Sequence, residues 1–386
     1  MHDGCSHDGV RLMARQKVMT VFGTRPEAIK MAPVVRALEA SSELDSVVCV
    51  TGQHRAILDQ MLGFFGITAR HDLDVMRPGQ SLVGLTSRVL ESLQPVLDAE
   101  RPDWLVVQGD TTTAMAAALT AHYNRIRVAH VEAGLRTHDK YAPYPEEANR
   151  RIIGAVADLH FPPTEAARRT LLAEGEREAA VIVTGNTGID SLYWTQGQVR
   201  AGRVAAPDGI EARLDGKRLV LVTAHRRENF DGGMAEICGA LSDLVERFAD
   251  IAVVLPVHPN PNVKGPIEQL LSGVERVHLT DPVDYGPFVW LLDRATLILT
   301  DSGGIQEEAT ALGKPMLVMR EVTERPEAIA AGNGLLVGAR REAIVGHASR
   351  LLSDPAELAS MSKASDVFGD GRAAERIVRA LEAWRA

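Results

Sequence analysis

ATLILTDSGGIQEEA, residues 295 to 309, decides the fold. ATLILT is an apolar run of strand length, Ser302, Gly303 and Gly304 interrupt it, and IQEEA resumes in helix-forming residues. A strand that stops on glycines and re-enters as a helix is one βα unit. The same unit recurs along the chain.

In the first half KVMTVFG (17–23), SVVCVT (46–51), DWLVVQG (103–109), RVAHVE (127–132) and AVIVTG (180–185) read as strands. In the second, RLVLVTA (218–224), IAVVLPV (251–257), RVHLT (276–280), ATLILTD (295–301) and PMLVM (315–319) do. Helix-length segments such as PEAIKMAPVVRALEA and TTTAMAAALTAHY lie between them. Such alternation predicts α/β architecture with parallel sheets covered on both faces, and two series predict two doubly wound domains. A chain of 386 residues is long for one core, which agrees. The join is expected within 190–216, a stretch without strand character.

The bulk composition excludes several partners. A net charge of -9 with scattered Lys and Arg lacks the field that duplex nucleic acid requires. No apolar stretch reaches the roughly 18 residues that span a bilayer, so no membrane partner is expected. Residues 1–16, MHDGCSHDGVRLMARQ, lack the apolar middle of a secretory signal and read as a disordered extension. His2, Cys5 and His7 lack a fourth ligand there and read as solvent-exposed rather than metal-binding. Three cysteines, one of them Cys49 in a strand, predict reduced thiols and a cytoplasmic location.

Chemistry-bearing residues fall just after strands, where open α/β sheets bind ligands. In FGTRPEAIK (22–30), Pro26 suits a first helical turn, and Arg25 and Lys30 either face an anion or serve as surface charges. The segment is not G-x-G-x-x-G, so no dinucleotide cofactor is expected. Asp110 in QGDTTTAMA is an N-cap or a reactive acid. Glu132 in HVEAGLRT ends the next strand, and acids on neighbouring strand ends need a shared proton or intervening cations. Glu146 and Glu147 open a helix, where the dipole favours acids. His225, followed by Arg226 and Arg227, titrates, binds phosphate or caps. Ser302, Gly303 and Gly304 read either as a cradle that fits diphosphate, with Glu307 or Glu308 a turn deeper to accept from ribose hydroxyls, or as an ordinary glycine turn with a capping Ser. Arg320 and Arg325 follow the next strand, and Tyr285, Phe288 and Trp290 are core or border a base.

Together FGTRPEAIKMAP, TGQHR, GDTTT, HVEAGLRT, YPEEANR, TGNTGIDSL, TAHRREN, PVHPNPNV, DSGGIQEEA, TERPEA and GDGRA closely resemble the non-hydrolysing UDP-N-acetylglucosamine 2-epimerases. The likeness runs from about Lys17 to the chain end. It implies two Rossmann-like domains of GT-B type around a cleft, a homodimer, and no cofactor or metal. The implied division is a first domain of 17–190 plus 370–386 with the acid/base residues, and a second of 191–369 that binds UDP. By resemblance Arg25, Lys30, Asp110, Glu132, His225, Phe288, Ser302, Gly303, Gly304, Glu308 and Arg325 hold the UDP-sugar, with Phe288 near uracil. Asp110, Glu132, Glu146 and His225 match catalytic positions. Val283 departs from relatives with a polar residue near uracil, and Ala56 and Gly79 offer no side-chain hydrogen bond where some relatives bind an activating second substrate.

The reaction implied is elimination of UDP to a glycal and re-addition from the other face, feeding surface polysaccharide synthesis. A hydrolysing epimerase, a GT-B glycosyltransferase and a non-catalytic sugar-nucleotide sensor are the alternatives.

Overall fold

Strands apolar on both faces are stable only when helices cover both sides of their sheet. The computed structural model describes residues 15–52, 55–77 and 79–384, without the side chains of 55–57. The expectations for His2, Cys5 and His7, and for the Ala56 side chain, lie outside the described residues.

The first sheet contains β1 (Gln16–Phe22), β2 (Leu44–Val50), β3 (His71–Asp72), β4 (Trp104–Gln108), β5 (Arg127–Val131) and β6 (Leu159–Phe161). Its order is β3-β2-β1-β4-β5-β6, with every pairing parallel. The second contains β7 (Arg218–Thr223), β8 (Ile251–Pro256), β9 (Val277–Thr280), β10 (Ala295–Thr300), β11 (Met316–Val318) and β12 (Gly334–Leu336). Its parallel order, β12-β11-β10-β7-β8-β9, is the same winding. In each sheet the winding reverses between the first and fourth strands, and the crevice at their carboxyl ends is the place for a ligand.

The chain forms two compact units. One takes residues up to Phe161, Ala167–Ile182 and those from Glu375 on; the other takes Pro162–Ala166 and Val183–Ala374. The first core gathers Met19, Val21, Leu105, Val107 and Val128 from the strands under Leu93, Leu97 and Ala117. The second gathers Val220, Val222, Val253, Leu255, Leu297 and Leu299 under Ile237, Leu241, Leu244 and Ile267. Each such aliphatic side chain contributes about 1.5–3 kcal/mol on burial.

Local chemistry starts the helices where the site needs them. Helix Arg25–Ala40 opens on a capping box: Thr24 accepts from the Glu27 amide, and Glu27 returns a carboxylate to the Thr24 amide at 2.8 Å. Gly23 is required just before it, since a Cβ there would stand 1.9 Å from Thr51 Oγ1.

The structure corrects four details. Gln16 already belongs to β1, inside the stretch read as an extension. AVIVTG does not form a strand: it lies at the edge beyond β6, where Val181 makes a single bridge to His160. The short edge strands β3, β6 and β12 were not expected. The 190–216 stretch begins in helix Thr187–Arg200, and the passage to the second unit comes earlier, at Val183.

Candidate functional site

In the first unit β1, β4 and β5 bring Lys30, Asp110 and Glu132 together. Asp110 does not cap the helix that follows it: Thr111 does, accepting from the Ala114 amide at 3.0 Å. That frees the Asp110 carboxylate, whose Oδ2 receives Arg150 Nε at 2.8 Å and Nη2 at 2.7 Å. Burial lifts the Asp110 carboxyl above its ordinary range; Arg150 opposes this and the charge of Glu132 adds to it. Glu132 sits at a positive φ of 63° and takes Lys30 Nζ at 2.5 Å together with Gln108 Nε2. Each acid therefore has its own cation, which is what two carboxylates on adjacent strand ends need.

The surrounding scaffold is polar and buried. Glu27 joins the two loops, accepting from Gly23 and Thr24 amides and from Thr111 Oγ1 at 2.6 Å, and burial raises its carboxyl. His130 Nε2 lies 2.7 Å from the Gly109 carbonyl oxygen; burial pushes this imidazole down to about 3, so it is neutral and donates. Helix Glu146–Val156 divides its two leading acids. Glu147 is fully buried and accepts from the Thr137 and His138 amides, whereas Glu146 Oε2 is buried without a hydrogen-bond partner among the described residues. Arg25 is exposed at the first turn of its helix.

In the second unit β7 and β10 end side by side. Ser302 is the N-cap of helix Gly303–Ala311, yet its hydroxyl makes no capping bond. A Cβ on Gly303 would be 3.9 Å from both Arg226 Nη2 and Arg325 Cζ, so two guanidinium groups flank the turn. Gly304 meets nothing within 4 Å of an added Cβ among the described residues. Unpaired helix amides, two cations and a bare backbone suit an anion.

His225 follows β7 with its Nδ1 3.5 Å from Asp301 Oδ1 and its ring stacked on His258 at 5.6 Å. Burial lowers its proton affinity, Asp301 raises it, and Arg226 and His258 lower it further. Of the two adjacent glutamates, Glu307 is buried and engaged by Arg325 Nε and Asn186 Nδ2. Glu308 lies beside the buried Tyr285 hydroxyl; burial first, and then this carboxylate, push the phenol well above its ordinary range. Phe288 is half-buried on helix Tyr285–Arg294, while Trp290 is core, with Arg294 over its ring at 4.6 Å.

The model of the family UDP-N-acetylglucosamine 2-epimerase matches residues 36–382. The chain belongs to that family. It is similar to the UDP-N-acetylglucosamine 2-epimerase of Escherichia coli strain K12, with 51% identity over 374 residues, 95% of this chain and 98% of the relative. A crystal structure of the Neisseria meningitidis UDP-GlcNAc 2-epimerase bound to UDP-GlcNAc superposes with a TM-score of 0.84 at 45% identity, covering 95% of this chain and 99% of that one. A Listeria monocytogenes structure described as a putative UDP-N-acetylglucosamine 2-epimerase gives 0.89 at 45% identity over 96% of each chain. The chain is thus an isomerase of the non-hydrolysing type, with two Rossmann-like units in the α/β class of the GT-B fold.

The sequence-selected residues fall into two groups: Arg25, Lys30, Asp110, Glu132 and Glu146 in one unit, and His225, Phe288, Ser302, Gly303, Gly304, Glu308 and Arg325 in the other. Their partners were missed. Arg150 and Gln108 read as ordinary helix and strand residues, and Asp301 as the end of a strand. Arg150 is 40 residues from Asp110, and Lys30 is 102 from Glu132, so only the fold pairs them.

Proposed function

We propose that this protein inverts carbon 2 of UDP-N-acetylglucosamine, giving UDP-N-acetylmannosamine, through a glycal. A carboxylate takes the proton from carbon 2, the electron pair of that C–H bond becomes the C1–C2 double bond, and the C1–O bond breaks with its pair on the diphosphate. UDP then attacks carbon 1 again while a proton reaches carbon 2 from the opposite face. No carbonyl adjoins carbon 2, so elimination replaces direct deprotonation to an enolate.

In this reading Ser302, Gly303, Gly304, Arg25, Lys30 and Arg325 stabilise the departing diphosphate, where charge develops. Glu308 accepts from ribose hydroxyls and Phe288 borders uracil. Asp110, Glu132, Glu146 and His225 form the acid/base set. The observation that carries the reading is the pair Asp110 and Glu132, side by side on adjacent strand ends with Arg150 and Lys30 as their separate partners. The Neisseria relative bound to UDP-GlcNAc supports the substrate. A cytoplasmic homodimer supplying N-acetylmannosamine nucleotides to surface polysaccharide synthesis completes the proposal.

Incubation with UDP-N-acetylglucosamine in D2O tests it. Deuterium at carbon 2 with UDP still attached is expected; free sugar would mean hydrolysis, and no exchange without an acceptor would mean transfer or mere binding. Glu132→Gln keeps UDP binding and loses exchange, by roughly 10²–10⁴-fold for a removed acid/base group. Unchanged turnover would take Glu132 out of the set.

A further inference from the structure

Asp301 is the last residue before the glycine turn and is completely buried. Its Oδ2 accepts three hydrogen bonds, from the His225 amide at 2.9 Å, the Arg226 amide at 2.8 Å and Asn229 Nδ2 at 3.0 Å. One oxygen thus pins the loop after β7. The other, Oδ1, accepts no hydrogen bond among the described residues and faces His225 Nδ1 at 3.5 Å.

That division has an electrostatic consequence for the imidazole. A neutral histidine carries one proton, on Nδ1 or on Nε2, and the group opposite each nitrogen selects the tautomer. Opposite a buried carboxylate oxygen, an Nδ1 lone pair is repelled and an Nδ1–H is attracted. The other charged or titratable groups at this ring, Arg226 and His258, both disfavour a second proton. His258 Nδ1 is itself an acceptor, for the Asn260 amide at 3.2 Å, and its ring stacks on His225 with 21° between planes, which limits rotation.

We propose that Asp301 is a positioning residue that fixes His225 as the Nδ1–H tautomer, leaving Nε2 a bare lone pair turned to the ligand. The same carboxylate holds the His225 and Arg226 amides, so the backbone that carries the ring and the ring itself face one buried group. His225 then meets the substrate as a proton acceptor. The catalytic consequence rests on the proposed place of His225 in the acid/base set; the tautomer does not.

The test is long-range ¹H–¹⁵N correlation of the ¹⁵N-histidine-labelled full chain, with the His225 signals assigned by comparison with His225→Asn. Wild type should show His225 protonated at Nδ1 alone, and an Nε2–H signal would overturn the proposal whatever any variant does. In Asp301→Asn the amide oxygen can keep the three Oδ2 bonds while its NH₂ faces Nδ1 and needs an acceptor there, so the ring should switch to Nε2–H. Turnover should then fall about 100-fold with KM changed less than about threefold, since a mis-set base is lost and binding is not. An Asp301→Asn protein that keeps the Nδ1–H form with wild-type turnover would also overturn it. A switched tautomer with full turnover would uphold the positioning role and remove His225 from the acid/base set instead.

Discussion

A carboxylate that exchanges protons must be ionised when it accepts one, and burial works against that. At Asp110 burial dominates, and Arg150 holds the group back toward its ordinary range. Arg150→Gln removes the guanidinium bonds at 2.8 and 2.7 Å but leaves the burial and the charge of Glu132, so the carboxyl rises further. The acid limb of turnover against pH should therefore move to higher pH in Arg150→Gln, with kcat recovering as pH increases. A limb that stays in place would detach Asp110 from the proton exchange. The acids themselves were legible in the sequence because each follows a strand run or opens a helix. Glu146 and Glu147 were not separable by type or position; only the fold shows Glu147 spent on the Thr137 and His138 amides.

At the scale of elements, two glycine turns with similar sequence signals meet opposite surroundings. Gly134 follows β5 at a φ of 85°, and a Cβ there would lie 2.4 Å from the Ala167 carbonyl oxygen, which is backbone and cannot swing away. Gly134→Ala should cost about 2–4 kcal/mol from overpacking and a left-handed residue with a side chain, seen as a lower denaturation midpoint. Gly304 meets nothing within 4 Å, so Gly304→Ala should leave that midpoint unchanged while weakening UDP binding on the order of tenfold, about 1.4 kcal/mol. Equal effects on stability from the two substitutions would refute this division. The long central strands were readable because they are buried on both faces, as the uniform burial of Trp104–Gln108 illustrates. The edge strand His71–Asp72 was not, since a half-exposed pair carries no run of apolar residues; its register comes from pairing with Cys49 and Val50.

At the scale of the whole molecule, the chain leaves the second unit between Ala374 and Glu375, and Asp190 holds the last two amides before that point. Its oxygens accept from Ala373 N at 3.2 Å and Ala374 N at 2.9 Å. Burial outweighs these bonds and raises the carboxyl from 3.8 to about 6. The folded chain therefore binds this proton more tightly than the unfolded chain does. The resulting stabilisation is complete below 3.8 and is lost as pH rises through about 6. Asp190→Asn keeps an acceptor oxygen and cannot titrate, while groups that do not interact with Asp190 titrate alike in both proteins and cancel in the comparison; Asp370, which adds to the Asp190 shift, is the neighbour that does not. The stability of wild type relative to Asp190→Asn should thus decline between pH 3.8 and about 6 and stay level above, as read from denaturant midpoints at each pH. A difference that is flat across that window, or that grows with pH, would mean the buried carboxylate is ionised at no cost and that its two amide bonds, rather than its burial, govern the crossing.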